Sequence, residues 1–308
     1  MIARMYQAKR PFASQFVPLR GLRYHVQTWG QPQANTPPLV MLHGWMDVAA
    51  SWQFVVDAFA QERFIIAPDW RGYGKTDVPG CDNYWLPDYL ADLDFLLDAL
   101  CPGQQVDLVG HSLGGNVAMF YSGIRPERIR RLVNLEGFGM PASKPSQAPG
   151  RYTQWMDGLH SLHQGEMRLK TYPDLRGVAH RLMKTNSRLP QDKADWLAQH
   201  WSQPTIQDDG TRPWQILGDP AHKLRNAQLF RLDEVLAVYQ RITAPTLSVE
   251  ASDDSLARWG LGYTLAEYHE RLQSVPQATV AVVQDAGHML HHDQPAALAR
   301  LVEGFLAE

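Results

Sequence analysis

Ser112 stands in Gly110-His111-Ser112-Leu113-Gly114, a G-x-S-x-G turn. A serine hydroxyl is a weak nucleophile near neutral pH. It needs a base within hydrogen-bond reach and donors for the oxyanion that its attack creates. His288 is the expected base, because "DAGHM" directly follows the last apolar run of the chain. An acid must then hold the imidazole in one tautomer. Asp253 and Asp254, after "PTLSVEAS", are candidates for that role, and Glu136 at the end of "RRLVNLEG" is a rival. The expected oxyanion donors are the backbone N–H groups of Leu113, just after the serine, and of Trp45, in a loop shaped by His43 and Gly44. Together these parts would carry out acyl transfer to water through a serine-bound intermediate. His291 and His292 are expected at the surface or in the first turn of the final helix. His160 and His163 lie three apart without further ligands at metal-binding spacing, so neither a metal nor a cofactor is expected.

These side chains need a scaffold that brings distant segments to one edge. "PPLVMLHG", "RFIIAPDW", "QVDLVGHS", "RRLVNLEG", "APTLSVEAS" and "ATVAVVQDAGH" are apolar runs without alternation. That pattern suits strands buried on both faces of a mostly parallel sheet. "LRYHVQTWG" reads as part of an edge hairpin. Between the runs lie helical segments. "WLPDYLADLDFLLDAL" sets Leu86, Leu90, Leu93, Leu97 and Leu100 on one stripe and is expected to turn its aspartates to water. "SWQFVVDAFA" opens on Ser51, an expected N-cap, and Pro295 fits the first turn of the last helix. Strands alternating with helices indicate an α/β sheet. Ser112 falls between an apolar strand and the helical "LGGNVAMFYSG", where Gly110 and Gly114 permit a sharp strand-to-helix turn.

The alternation breaks over residues 139–241, too long a stretch for a loop. The reading is therefore a core of residues 1–138 and 242–308 with a mostly helical cap, 139–241, inserted over the carboxyl edge of the sheet. Trp155, Trp196, Trp201 and Trp214 would pack that cap or wall a substrate. The 308 residues are 44% hydrophobic, with a formal net charge of −3 and no basic run, which gives no support for a nucleic-acid groove. No apolar stretch is long enough for a membrane span, and "MIARMYQAKRPFASQF" lacks the apolar core of a signal peptide. Two cysteines, Cys81 and Cys101, are expected as free thiols in a cytoplasmic protein. The expected partner is a small-molecule acyl substrate, and oligomeric state is not readable.

"LHGW" at 42–45, "DWRGYGKT" at 69–76, "GHSLGG" at 110–115, the Asp253-Asp254 pair and "DAGHM" at 285–289 resemble, in order and spacing, the α/β-hydrolase superfamily. The resemblance covers residues 10 to 305 and is strongest to its cap-bearing branch, which includes serine hydrolase-like proteins, C–C bond hydrolases and epoxide hydrolases. It implies an eight-stranded, mostly parallel sheet flanked by helices. It also places Ser112 on the nucleophile, His288 on the base, Leu113 and Trp45 on the oxyanion donors, and Asp254 on the acid. The usual Gly-x-x-Asp has Ala251 in the glycine position here. Some branches carry the acid after the strand that follows the nucleophile, which keeps Glu136 in play. Epoxide hydrolases and haloalkane dehalogenases of this fold have aspartate where this chain has Ser112, so acyl chemistry is implied. Proline aminopeptidase relatives carry tryptophan where this chain has Leu113. The leading expectation is a carboxylesterase or lipase-like enzyme. The alternatives are a C–C bond hydrolase, an amidase, or a hydrolase-like binding protein without catalysis.

Overall fold

The computed structural model describes residues 5–206 and 210–308. Its centre is an eight-stranded sheet. The strands are β1 (Ala13–Leu19), β2 (Leu22–Trp29), β3 (Leu39–Leu42), β4 (Ile65–Pro68), β5 (Val106–His111) and β6 (Ile129–Leu135), followed after a long interval by two more. That interval holds a small antiparallel sheet of β7 (Thr171–Tyr172), β8 (Ser202–Pro204) and β9 (Trp214–Ile216). The main sheet is completed by β10 (Thr246–Ala251) and β11 (Ala278–Val283), and its order is β1-β2-β4-β3-β5-β6-β10-β11. The first two strands form the expected hairpin and β2 meets β4 antiparallel. All remaining pairs are parallel.

From β3 the chain moves to one side to make β4, then returns to the other side of β3 to make β5. The loops leaving the carboxyl ends of β3 and β5 therefore diverge and open a crevice between them, the usual ligand position in such sheets. The inner strands bury both faces, as the unbroken apolar runs require; β11, expected to do the same, is instead the edge strand, with Val280 and Val282 about half exposed because no strand among the described residues pairs beyond it. Val40, Leu42, Leu108 and Leu132 pack on one side with Leu93, Leu97, Val117 and Met119. Leu39, Met41, Val109 and Val133 pack on the other with Val55, Leu298 and Val302. Successive strand residues thus feed opposite cores, the two-residue period of a strand.

The helices flanking the sheet are α1 (Gln53–Val56), α2 (Leu86–Leu100), α3 (Leu113–Ile124) and, near the carboxyl end, four more described below. Between β6 and β10 lie α4 (Ala148–His163), α5 (Leu175–Thr185), α6 (Gln191–Trp201) and α7 (Leu232–Tyr239). The chain closes with α8 (Ser255–Trp259), α9 (Leu265–Leu272), α10 (Leu290–Asp293) and α11 (Pro295–Ala307). Two local expectations are corrected. Ser51 lies inside a short 3-10 turn, Ala49–Trp52, where its hydroxyl donates to Asp47 and caps nothing. On α2, Asp92 is buried, not turned to water, because Arg71 grips it with two bonds of 2.6 and 2.7 Å. Cys81 and Cys101 are both free thiols. No helix among the described residues is long and apolar enough to cross a membrane.

Candidate active site

Ser112 follows β5 and precedes α3, with φ 53° and ψ −113°. A non-glycine residue in such a conformation costs on the order of 1–3 kcal/mol and persists only where its surroundings hold it. Here Ser112 N donates to Leu135 O at 2.8 Å, and Asn116 N donates to Ser112 O at 2.9 Å. The flanking glycines are steric necessities. A Cβ on Gly110 would sit 2.2 Å from Gly114 O, and one on Gly114 would sit 2.3 Å from Leu42 O. The turn therefore presses against β3 and lifts the Ser112 side chain above the sheet edge.

His288 meets it from the loop between β11 and α10. Its Nε2 lies 3.0 Å from Ser112 Oγ. Its Nδ1 lies 3.0 Å from Glu136 Oε2. A carboxylate only accepts, so Nδ1 carries the proton and Nε2 turns its lone pair to the serine. The Trp259 ring stands edge-on to His288, with centroids 4.7 Å apart. Phe138 lies 6.4 Å beyond Trp259, and together they make an apolar wall beside the imidazole.

The acid expectation is corrected here. Asp254 is exposed and serves as the N-cap of α8, its Oδ1 accepting from Ala257 N at 2.9 Å. Asp253 is paired with Arg188 at 2.8 Å. The carboxylate at His288 is that of Glu136, the rival candidate, with only 3% of the residue exposed. Glu136 follows β6 directly, at φ 54°. Its Oε1 accepts from Ala251 N at 2.8 Å, and its Oε2 accepts from Ser255 Oγ at 2.5 Å as well as from His288. Every neighbour donates, the complement of an acceptor-only group. The end of β10 thus supplies donors to the Glu136 carboxylate rather than the carboxylate that meets His288.

The loop after β3 lies against the same point. A Cβ on Gly44 would come within 3.2 Å of Ser112 Cβ. His43 accepts from Trp70 N through Nε2 at 2.9 Å, so its Nδ1–H donates to Gly44 O at 2.8 Å. Burial lowers the His43 pKa and keeps the ring neutral for this double role. In a trans peptide the carbonyl and the following N–H point in opposite directions. Anchoring Gly44 O on His43 therefore turns the Trp45 N–H away from that ring. Leu113, the other expected donor, is the first residue of α3, where backbone N–H groups have no intrahelical partner.

Several hydrogen bonds tie the segment between β6 and β10 to the sheet edge. Trp45 Nε1 donates to His222 O at 3.1 Å, and Trp201 Nε1 donates to Asp47 Oδ1 at 3.0 Å. Asn186 Nδ2 donates to Asp293 at 2.7 Å, and Arg188 holds Asp253. Of the four tryptophans expected there, Trp196 is buried against Phe54 and His200 as packing, while Trp201 reaches the Asp47 loop. Trp155 is half-buried on α4, and Trp214 packs partly buried at the start of β9.

His291 and His292, expected at the surface, are 1% and 3% exposed. α10 turns inward and places His291 against His111, ring centroids 4.3 Å apart. Burial drives the His111 pKa well below the usual histidine value, with His291 and His288 adding to it. His111 Nε2 lies 2.7 Å from His288 O. His160 and His163 do not converge on any ligand set, and His163 pairs at the surface with Asp82. The residues that do converge are Asp47, His111 and His291. Nothing in their sequence spacing signals this, because the loop after β3, the end of β5 and α10 bring them together.

Comparison with known proteins agrees with this architecture. The family described as alpha/beta hydrolase fold matches residues 37–295. The serine hydrolase-like protein of Danio rerio is 26% identical over 292 residues, spanning 91% of this chain and 84% of its own. The 2-hydroxymuconate semialdehyde hydrolase of a Pseudomonas species is 27% identical over 274 residues, 88% of this chain and 87% of its own. Among solved structures, a thioesterase domain from a curacin biosynthetic pathway superposes with a TM-score of 0.79 at 25% identity, covering 95% of this chain and 99% of that one.

Proposed function

The chain belongs to the alpha/beta hydrolase fold family, and from that premise we propose that it is a serine hydrolase of carboxylesterase or lipase-like type, cleaving small to medium acyl esters. The observation that carries this reading is the relay Ser112 Oγ to His288 Nε2 at 3.0 Å and His288 Nδ1 to Glu136 Oε2 at 3.0 Å. In the proposed reaction His288 takes the Ser112 proton as Oγ attacks the ester carbonyl. The N–H groups of Leu113 and Trp45 receive the oxyanion. The imidazolium, oriented by Glu136, gives its proton to the departing alcohol. Water, deprotonated by His288, then releases the acid. Exposed apolar side chains at Trp45, Met140 and Trp259 support an apolar acyl group. Residues 139–241 act in this reading as a cap whose ties to the core, among them Trp45 to His222 and Tyr84 to Asp219, set the width of the entrance.

The test is a chain-length series of p-nitrophenyl esters with wild type and Ser112→Ala. The reading expects turnover that peaks at short to medium chains and is lost in the variant. Absence of turnover across the series in folded wild type would refute it. A second reading, C–C bond hydrolysis, draws support from the near full-length similarity to the semialdehyde hydrolase. It would be preferred if a vinylogous diketone were cleaved and the esters were not.

A further inference from the structure

Beside His288, Asp47, His111 and His291 converge. All three are buried, and one ligand atom from each lies within 4.8 Å of the other two. Their inward atoms have no hydrogen-bond partner: Asp47 Oδ2, His111 Nδ1, and both ring nitrogens of His291. Buried polar atoms are rarely left so, and several in one spot call for an explanation. His291 Nε2 and Asp47 Oδ2 are 3.5 Å apart, too far for a good hydrogen bond.

The surroundings orient each group toward the common centre. The other oxygen of Asp47 is fully occupied, accepting from Val48 N at 2.9 Å, Trp201 Nε1 at 3.0 Å and the Ser51 hydroxyl. Oδ2 is thereby left facing the histidines. His111 Nε2 faces the carbonyl oxygen of His288, which only accepts, so the ring proton sits on Nε2. The neutral ring then turns a bare lone pair at Nδ1 toward Asp47 and His291. A second nitrogen donating to a carbonyl is the common arrangement of a metal-bound histidine. Gly44 keeps the space over Nδ1 open, since a Cβ there would lie 2.9 Å from it.

We propose that Asp47, His111 and His291 form a binding site for one divalent first-row transition ion, of which zinc is the best fit. Two imidazoles and one carboxylate are a common zinc donor set. At bond lengths of ~2.0–2.1 Å a tetrahedral ion spaces its ligands about 3.3 Å apart. The Asp47–His291 edge already has nearly that length, and the His111 edges, at most 4.8 Å, would have to close by up to about 1.5 Å. A bound ion would place a double positive charge directly on the buried Asp47 carboxylate, where His291 now stands 3.5 Å away. It would also strengthen the His111 Nε2–H bond to His288 O, bracing the loop that carries the base. The site stands apart from the hydrolytic reading, and its test does not use activity.

The experiment takes chelator-treated, dialysed protein and titrates it with zinc chloride against a chromophoric chelator. Cobalt(II) is titrated separately and read by its visible absorption, and thermal unfolding is followed with and without zinc. The expected result is one ion per chain, a raised unfolding midpoint, and affinity weakened at least ~10-fold in Asp47→Asn and in His291→Phe. His163→Ala, a surface control, leaves binding unchanged. The proposal is overturned if wild type binds no ion, or if binding persists unweakened in both site variants. Should either variant fail to fold, the wild-type titration and its unfolding shift decide alone. No stoichiometric binding and no shift would mean that the cluster is a buried ion pair, with a proton on His291 as the counter-charge.

Discussion

Replacing Glu136 by glutamine removes one negative charge and two acceptor lone pairs from a place where three donors converge. Ala251 N–H, Ser255 O–H and His288 Nδ1–H all point at this carboxylate. The amide can set its oxygen at only one of the two positions. With oxygen at Oε2, its NH2 group opposes the Ala251 N–H, and a buried unsatisfied donor costs about 1–3 kcal/mol. With oxygen at Oε1, the NH2 group opposes His288 Nδ1. The ring must then carry its proton on Nε2, facing Ser112, where no base remains. In both arrangements the imidazolium formed during attack loses its counter-charge. A wrong tautomer with a missing charge lowers turnover by ~10³–10⁴, equivalent to about 4–5.5 kcal/mol in the barrier. Asp254→Asn should do almost nothing, because asparagine caps a helix about as well as aspartate and the change stays within ~0.5 kcal/mol. The assay is kcat/KM on a p-nitrophenyl ester for both variants, with thermal unfolding to confirm that each is folded. The reasoning fails if Asp254→Asn loses activity a thousandfold while Glu136→Gln keeps it.

Other expectations follow from the same contacts. Gly114→Ala places a methyl 2.3 Å from the Leu42 carbonyl and should destabilise by about 1–3 kcal/mol, whereas Gly304→Ala, in the open on α11, should stabilise by about 0.4–1 kcal/mol. Urea midpoints of the two variants test this, and equal signs would contradict it. His222 is stacked between Tyr73 and Tyr84, and burial pushes its pKa down to about 3 from 6.5. Between those values the unfolded chain binds the extra proton, so stability present above pH 6.5 is lost as pH falls, by ~2–3 kcal/mol at pH 4.5. His222→Phe keeps the stacking and should flatten that part of the urea-midpoint profile between pH 7.5 and 4.5; an unchanged slope would show that His222 does not cause it.

The sheet was legible because a strand buried on both faces has to be apolar throughout, as "LVML" and "VDLVGH" are. The turn at Ser112 was legible because only glycine fits at 110 and 114. The acid was harder to read. The sequence, through the family resemblance, favours Asp254 after β10 and keeps Glu136 after β6 only as a rival, and β6 and β10 are adjacent in the sheet. The difference lies in local backbone. Glu136 takes a positive φ that swings its side chain toward β10, while Asp254 is absorbed by capping α8. Pairing across long separations was equally hidden. Asp92 looked like one more solvent-facing aspartate until Arg71 reached it, and His291 and His292 looked polar until α10 packed inward. Trp259 gave no sign either, since its contact with His288 depends on the angle at which α8 leaves β10.

The most direct measurement of the central claim is intact-protein mass spectrometry after treatment with a fluorophosphonate, followed by peptide mapping. The account predicts a single covalent adduct per chain, located on Ser112, absent in Ser112→Ala and much slower to form in Glu136→Gln. An adduct on another residue, or none on folded wild type while Ser112 is reachable by the probe, would contradict it.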